Sequence, residues 1–347
     1  MSGLQFFGQW TEGNGKENDI VVSSRVRLAR NLEDLPFPSA FTKEHAKKVL
    51  ERIAGVTAEC LPDCRVLNFS DLPKVEREIL AENHLISREH GENDSGALIL
   101  NENGSLSLMV NEEDHLRIQC ILSGLELEQA WRMADEADDL LAEKLNFAYD
   151  SKLGYLTSCP TNVGTGMRAS VMLHLPALAY SGNLPVVLRS LNKLGLAVRG
   201  VYGEGSEMAG NMVQISNQRT LGSREEEIVD QVKRVTLQVV EQEKQERSRL
   251  MTEYRNKLAD LTGRAYGILA NAYSISTAEA VKLLSDLRFG IELGLHAQIN
   301  KKALNRLLLS IYPAHLEARA GRTLNQTERD YCRAELLRKV LNKEEVL

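Results

Sequence analysis

From Ser223 to Asp260 the chain has no Gly and no Pro and is dense in Glu, Gln, Lys and Arg. Within this run Ile228, Val232, Val235 and Val239 recur at 4-3-4 spacing, one stripe of a long helix. The run separates two unlike halves. Beyond Gly263 the sequence stays helical: Ser276-Thr-Ala-Glu279 has the form of a capping box, and Glu328–Leu341 reads as a last amphipathic helix. Before it, short strands mix with helices. Arg65–Phe69, Ala97–Leu100, Ser105–Val110, Leu153–Ser158, Ala197–Val201 and Met212–Ser216 read as strands, with Asn101-Glu-Asn-Gly104 as a hairpin turn. Glu126–Leu145 and Gly166–Tyr180 read as helices. Such hairpin-rich mixing favours α+β over a doubly wound parallel sheet. The expected organisation is a mobile N-terminus over 1–19, a mixed domain over 20–222, a connecting helix over 223–262 and a helical domain over 263–347.

Charge and cysteine content narrow the function. The net charge is −6 and the pI about 5.8, which disfavours a general nucleic-acid binder. No run of about 18 apolar residues offers a membrane span, and the first residues lack the basic start and apolar core of a secretory signal. Five cysteines, sparse and odd in number, suit a reduced cytoplasmic protein; Cys60 and Cys64 have the wrong spacing for a usual redox pair or zinc knuckle.

Against this acidic background, Ser151–Gly203 holds no Asp or Glu in 53 residues, yet carries Lys152, Arg168, Arg189, Lys193 and Arg199. Either the acids are absent by chance or this part of the fold faces a negative ligand. Within it, Ser158-Cys-Pro-Thr-Asn-Val-Gly-Thr-Gly-Met-Arg-Ala-Ser170 reads as a Gly-rich loop feeding a helix, a form that can cradle phosphate through backbone N–H groups. Gly164-Thr-Gly-Met-Arg-Ala169 fits the dinucleotide pattern only weakly, because no acid follows at the ribose-binding distance. No P-loop motif and no protein-kinase HRD or DFG set is present.

Several segments together resemble the phosphagen (guanidino) kinases. Val110-Asn-Glu-Glu-Asp-His-Leu-Arg117 and Cys159-Pro-Thr-Asn-Val-Gly-Thr165 resemble the two signature segments, and Ser23-Ser-Arg-Val-Arg27, Arg168-Ala-Ser-Val171 and Arg199-Gly-Val-Tyr-Gly-Glu204 resemble nucleotide segments. The similarity covers that family's catalytic domain: an antiparallel sheet flanked by helices. Only about 20 residues stand before Ile20, where the family has a small helical domain, and a helical C-terminal domain follows instead. That arrangement resembles the bacterial protein-arginine kinases, whose Arg-Asp-x-x-Arg-Ala motif is matched by Arg329-Asp-Tyr-Cys-Arg-Ala334.

The resemblance implies a site. Arg25, Arg27, Arg117, Arg168 and Arg199 would clamp the phosphates of ATP, since a guanidinium fork suits phosphate oxygens. Ser23, Ser24, Val26, His84, Ala169, Ser170, Val171, Met172, Gly200, Val201, Tyr202 and Gly203 complete the nucleotide segments. Met172 replaces the His that relatives often carry, and His84 reads equally as an ordinary core or surface histidine. Glu113 would be the base and Glu204 the second carboxylate holding the acceptor guanidinium; by itself Glu113 reads as a solvated acid beside Glu112 and Asp114. Cys159 would help place the substrate, an inert buried thiol being the alternative. Arg329, Asp330, Arg333 and Ala334 would bind phosphoarginine, or else form an ordinary charged helix face.

The implied activity is a protein-arginine kinase using ATP and Mg²⁺, with no protein metal ligand assigned. The site after Glu204 is expected to be open enough to admit an arginine on a protein surface. The implied partners are proteins with accessible arginines, an activator protein, a Clp-type protease or unfoldase and a heat-shock repressor; a homodimer is left open. The rival readings are a small-molecule guanidino kinase and an inactive phosphoarginine-reading adaptor.

Overall fold

The computed structural model describes residues 7–200, 209–296 and 300–343. Its centre is an eight-stranded sheet whose neighbours are all antiparallel. The strands are β1 (Val21–Arg30), β2 (Arg65–Asn68), β3 (Ala97–Leu100), β4 (Leu106–Val110), β5 (Leu116–Ser123), β8 (Met167–His174), β9 (Leu196–Arg199) and β10 (Met212–Asn217), in the order β2-β3-β4-β5-β1-β8-β10-β9. A short pair, β6 (Tyr149–Asp150) and β7 (Gly154–Tyr155), lies apart.

Strand alternation gives the sheet two unlike faces. Val26 and Leu28 of β1, Ile118 and Cys120 of β5, Ala169 and Val171 of β8 and Val213 and Ile215 of β10 share one face by register. They join one core with Val49 and Ile53 of α1 (Lys43–Cys60), Ala134 and Leu141 of α4 (Leu127–Ala142) and Leu188 of α6 (Leu184–Lys193). The remaining catalytic-half helices are α2 (Lys74–Glu82), α3 (Arg88–Gly91) and α5 (Pro176–Tyr180). The opposite face carries Arg25, Arg27, Arg117, Arg168 and Arg199.

The valine-striped run is part of α7 (Glu225–Asn271), 47 residues broken by a kink at Tyr254, where φ is −133° and ψ 23°. Its Ile228, Val232, Val235 and Val239 close the sheet core, and its far end, Leu269 and Ala270, enters a second core. There it meets α8 (Thr277–Glu292), α9 (Lys301–Ser310), α10 (Pro313–Ala320) and α11 (Gln326–Leu341). Ser276 caps α8 by accepting from the Glu279 amide, as the capping pattern suggests. Among the described residues no helix is long and apolar enough to cross a membrane.

Three expectations need correction. Gly166–Tyr180 is not one helix: Met167–His174 is a central strand, and only Pro176–Tyr180 is helical. Ala, Met and Leu favour helix locally, but Arg168, Ser170 and Met172 alternate with Ala169, Val171 and Leu173 between two paired neighbours. The Gly-rich loop therefore feeds a strand, so no helix N-terminus is available there for phosphate. Leu153–Ser158 pairs as a strand only at Gly154–Tyr155. Of residues 1–19, expected to be mobile, 1–6 lie outside the described residues, and 7–18 pack as a strap in which Trp10 and Thr11 of the short 3-10 turn Gln9–Glu12 are buried.

Candidate active site

The arginines converge because register places them so. Arg27 sits opposite Arg168 on one side and Gln119 on the other, two residues along from Arg117. Arg25 is the next position of β1 on the same face, and Arg199 pairs across β10 at Gln214. Like charges this close raise one another's energy in a desolvated site. Burial, then the Arg117 and Arg168 charges, push Arg25 down to about 10. Burial, then Arg25, Arg117 and Arg168, push Arg27 well below the ordinary guanidinium range.

Arg25 donates to Gln214 Oε1 at 3.2 Å. Arg168 donates to Ser216 Oγ at 3.2 and 3.4 Å. Arg117 donates from Nη1 to both Glu112 oxygens at 2.8 Å. Among the described residues, the buried Nε of Arg27 has no hydrogen-bond partner. A buried donor without an acceptor is costly, and an anion of several oxygens would supply what this face lacks. The residues present thus fit a polyphosphate.

The acidic turn between β4 and β5 lies at the edge of this face. Asn111 takes φ +59° and its side chain donates to the Ala46 and Ser95 carbonyls, fixing the reversal. Three consecutive acids then separate by environment. Burial raises Glu112, but Arg117, the Glu113 amide and the Ser87 hydroxyl outweigh it and hold the carboxyl at about 2. Asp114 is buried and accepts from Asn31 Nδ2 at 2.6 Å and from the Ser158 amide at 2.7 Å. Glu113 points outward; partial burial raises its carboxyl, Arg117 opposes this, Glu112 and Asp114 add to it, and the Cys159 side chain lowers it by hydrogen bonding.

Asp114 thereby ties the Glu113 turn to the loop that carries Cys159. Cys159 is half-buried, with Sγ 3.0 Å from Thr161 Oγ1, and heads a three-residue 3-10 turn, Pro160–Asn162. The loop is closed by Thr220, whose hydroxyl donates to the carbonyls of Thr161 and Val163. Gly164 is required here: at φ +115° an added Cβ would lie 2.4 Å from the Thr220 carbonyl oxygen.

A second pocket lies farther along the same face, lined by Ser23, Arg25, His84, Ile121, Ser170, Met172 and Gln214. His84 follows α2 at φ +61°. Burial first, then the Arg25 and Arg88 charges, push its imidazole down to about 4, so it is neutral near pH 7.

The structure thus brings together Ser23, Arg25, Arg27, His84, Arg117, Arg168, Ser170, Met172 and Arg199 on one face, with Glu113 and Cys159 at its edge. Val26, Ala169 and Val171 face the opposite core, and Ser24 donates to the Gly124 carbonyl there. Gly200 is buried at the end of β9. Val201, Tyr202, Gly203 and Glu204 lie outside the described residues.

The C-terminal motif divides in the same way. Arg329 lines a cleft of about 500 Å³ with Lys74, Arg77, Glu82, Arg88 and Tyr312. Arg333 is 1% exposed and donates to the Ile311 and Ile275 carbonyls and, at 2.6 Å, to Asp330. Ala334 is in the second core. Sequence reasoning missed Glu112 and Asp114 as distinct from Glu113. Three adjacent acids look alike in sequence, and only the turn geometry distinguishes them.

Comparison with known proteins agrees with this architecture. The family described as "ATP:guanido phosphotransferase, C-terminal catalytic domain" matches residues 45–246, and that described as "Protein-arginine kinase McsB C-terminal domain" matches residues 255–346. The chain is 48% identical over 335 residues to the protein-arginine kinase of Halothermothrix orenii, covering 96% of each. To that of Geobacillus sp. it is 46% identical over 354 residues, covering 99% of this chain and 98% of the relative. Among solved structures, a lombricine kinase shares the fold at 22% identity and TM-score 0.58, covering 70% of this chain and 73% of that one. The duplicated taurocyamine kinase of Schistosoma mansoni gives 25% identity and TM-score 0.59, covering 78% of this chain and 40% of that one. An antiparallel sheet with a guanidinium-lined face, joined to a matching helical half, places the chain in the protein-arginine kinase family, whose catalytic half is that of the ATP:guanido phosphotransferases.

Proposed function

We propose that the protein transfers the γ-phosphoryl group of Mg-ATP to arginine side chains of proteins. The observation that carries this reading is the arginine face, where the buried Arg27 Nε has no acceptor among the described residues. Arg25, Arg27, Arg117, Arg168 and Arg199 hold the triphosphate and balance the charge of the migrating group. Bound Mg²⁺ would supply positive charge that offsets part of the triphosphate's own. Glu113, at the rim, holds the acceptor guanidinium, with Glu204 as second carboxylate on the resemblance alone. A guanidinium nitrogen forms the new N–P bond, the bond from the γ-phosphorus to the β-phosphate oxygen breaks, and the proton released from nitrogen passes to the Glu113 carboxylate. The outward position of Glu113 supports an acceptor carried on a protein surface. Cys159 beside it helps seat the substrate.

In this reading phosphoarginine is bound at the cleft beside Arg329. Lys74, Arg77 and Arg88 stand there beside the acids Glu78, Glu82 and Glu92, so both the phosphate and the guanidinium of phosphoarginine meet opposite charge, and Asp330 with Arg333 holds the backbone behind it. The resemblance further supports a cytoplasmic enzyme controlled by an activator protein, marking substrates for a Clp-type protease and modifying a heat-shock repressor. Incubation with ATP and either a denatured protein or free arginine tests the central claim. Acid-labile phosphate on the protein is expected. Efficient turnover of free arginine with the protein unmodified would make this a small-molecule kinase, and phosphoarginine binding without any transfer would make it an adaptor.

A further inference from the structure

The hairpin of β6 and β7 stands beside the acceptor end of the site and has no part in the reaction described above. Its exit is tied to the acidic turn, because Asn31 Nδ2 donates to Asp114 Oδ1 at 2.6 Å and to the Leu156 carbonyl at 3.2 Å. It also pairs with the Cys159 loop: the Tyr155 amide donates to the Gly164 carbonyl at 2.8 Å, and the Gly164 amide donates back at 3.3 Å. The backbones touch here. A Cβ on Gly154 would lie 2.5 Å from the Gly164 carbonyl oxygen, and one on Gly164 would lie 2.8 Å from Leu221 Cα. Hairpin, loop and the 220–221 segment thus form one continuous rim.

That rim carries three large apolar side chains in the open. Tyr149 is 60% exposed, Leu153 47% and Leu221 53%. Singly, an exposed apolar side chain is ordinary; three gathered beside a reaction site mark a contact surface. Turn formation does not account for Leu153, since Asp150 Oδ1 accepts from the Lys152 and Leu153 amides and Gly154 supplies the positive φ.

The base beneath them is fixed. Tyr149 packs edge-on against Tyr155, with ring centroids 5.3 Å apart. The Arg30 guanidinium lies 3.5 Å from the centre of the Tyr155 ring, donates to the Thr165 carbonyl at 2.9 Å and pairs with the buried Asp138 at 2.6 Å. A surface held in this way binds without first having to be ordered.

What the rim adjoins identifies its occupant. An acceptor arginine that belongs to a protein brings its neighbours in the chain with it, and at Glu113 and Cys159 those neighbours meet the rim. Over 151–166 and 217–222 the charged side chains are Lys152 and Arg219, so no carboxylate in these segments competes with Glu113 for the acceptor guanidinium. We propose that Tyr149, Leu153 and Leu221 form a docking surface for the stretch of substrate chain flanking the acceptor arginine, and that this surface favours apolar residues there. This rests on the reading that Glu113 holds the acceptor.

Two Gly/Ser-rich polypeptides test it, each with one arginine, identical except that leucines flank the arginine in one and serines in the other. The readout is the ratio of their kcat/KM values for ATP-dependent labelling. In the parent the leucine form should be favoured about tenfold. Leu153→Ser, Leu221→Ser and Tyr149→Ser should each lower that ratio about threefold, and the triple variant should bring it close to one. All three positions are exposed, so thermal midpoints should stay near that of the parent. A general loss of folding or of catalysis would lower both polypeptides together and leave the ratio where it was. A parent that labels both equally, or variants that keep the parent's ratio, overturns the docking surface alone. A parent that labels neither overturns the underlying reading as well.

Discussion

At the scale of single residues, the site is built from charges that the fold alone would not choose. Arg27 is half-buried among like charges, and its buried Nε has no partner among the described residues, so its position costs stability when no anion is bound. Arg27→Met should therefore leave the ligand-free protein as stable as the parent, or stabilise it by about 1 kcal/mol, while reducing phosphoryl transfer at least about a hundredfold. Thermal unfolding without nucleotide and a labelling assay check both halves. Glu112 has the opposite character. Its folded carboxyl sits at about 2, below the ordinary 4.5. Its contribution is thus present above pH 4.5 and lost as pH falls toward 2. At 1.36 kcal/mol per unit this is roughly 3 kcal/mol. Glu112→Gln should be less stable than the parent at pH 7, and that deficit should shrink on acidification through this window, as unfolding midpoints would record. An unchanged deficit would mean that the Arg117–Glu112 pair does not carry the acid sensitivity.

At the scale of elements, α7 shows how a sequence stripe becomes packing. Val232 is fully buried against the sheet core, whereas Leu237 on the same helix is 40% exposed. Val232→Ala removes buried methyl groups and should cost about 2 kcal/mol, while Leu237→Ala should stay within about 0.5 kcal/mol. Urea midpoints separate the two, and equal effects would contradict the packing assigned to the stripe. The strand β8 teaches the reverse lesson. Its Ala, Met, Val and Leu suggested a helix, yet pairing on both sides holds it extended. The alternation Arg168, Ser170, Met172 against Ala169, Val171, Leu173 was visible in the sequence. It acquired meaning only once β1 and β10 were in place to pair with it.

At the scale of the whole molecule, the helical half is anchored to the catalytic half at several points, among them His174–Ser285, Asn305–Thr11 and Glu82–α10, and one of these titrates. Glu82 at the end of α2 accepts from the amides of Ala314 and His315 at the start of α10. Burial pushes its carboxyl up to about 7; the two amides and Arg88 oppose this, Glu78 adds to it, and His315 Nε2 lies 4.0 Å away. A carboxyl raised on folding contributes stability that is full below pH 4.5 and declines as pH rises toward 7. Glu82→Gln keeps an acceptor and removes the titration. Its stability should therefore change less than that of the parent between pH 4.5 and 7, and the comparison of thermal midpoints at pH 5 and 8 tests this. Identical pH profiles would show that the contact between the halves is not sensitive to this group.

The sequence by itself determined what depends on neighbours along the chain. The valine stripe, the hairpin at Asn101–Gly104, the Ser276 cap and the motif segments are local, because helix period, turn chemistry and capping act over a few residues. The tertiary structure alone decided which residues of those segments meet. Arg25 and Arg27 face the site while Val26 between them enters the core, Arg329 lines the cleft while Arg333 supports it from behind, and one of three adjacent glutamate and aspartate side chains remains free to face solvent. These distinctions come from strand register and long-range burial, and from electrostatic fields summed over segments up to about 170 residues apart, none of which a local stretch of sequence can encode.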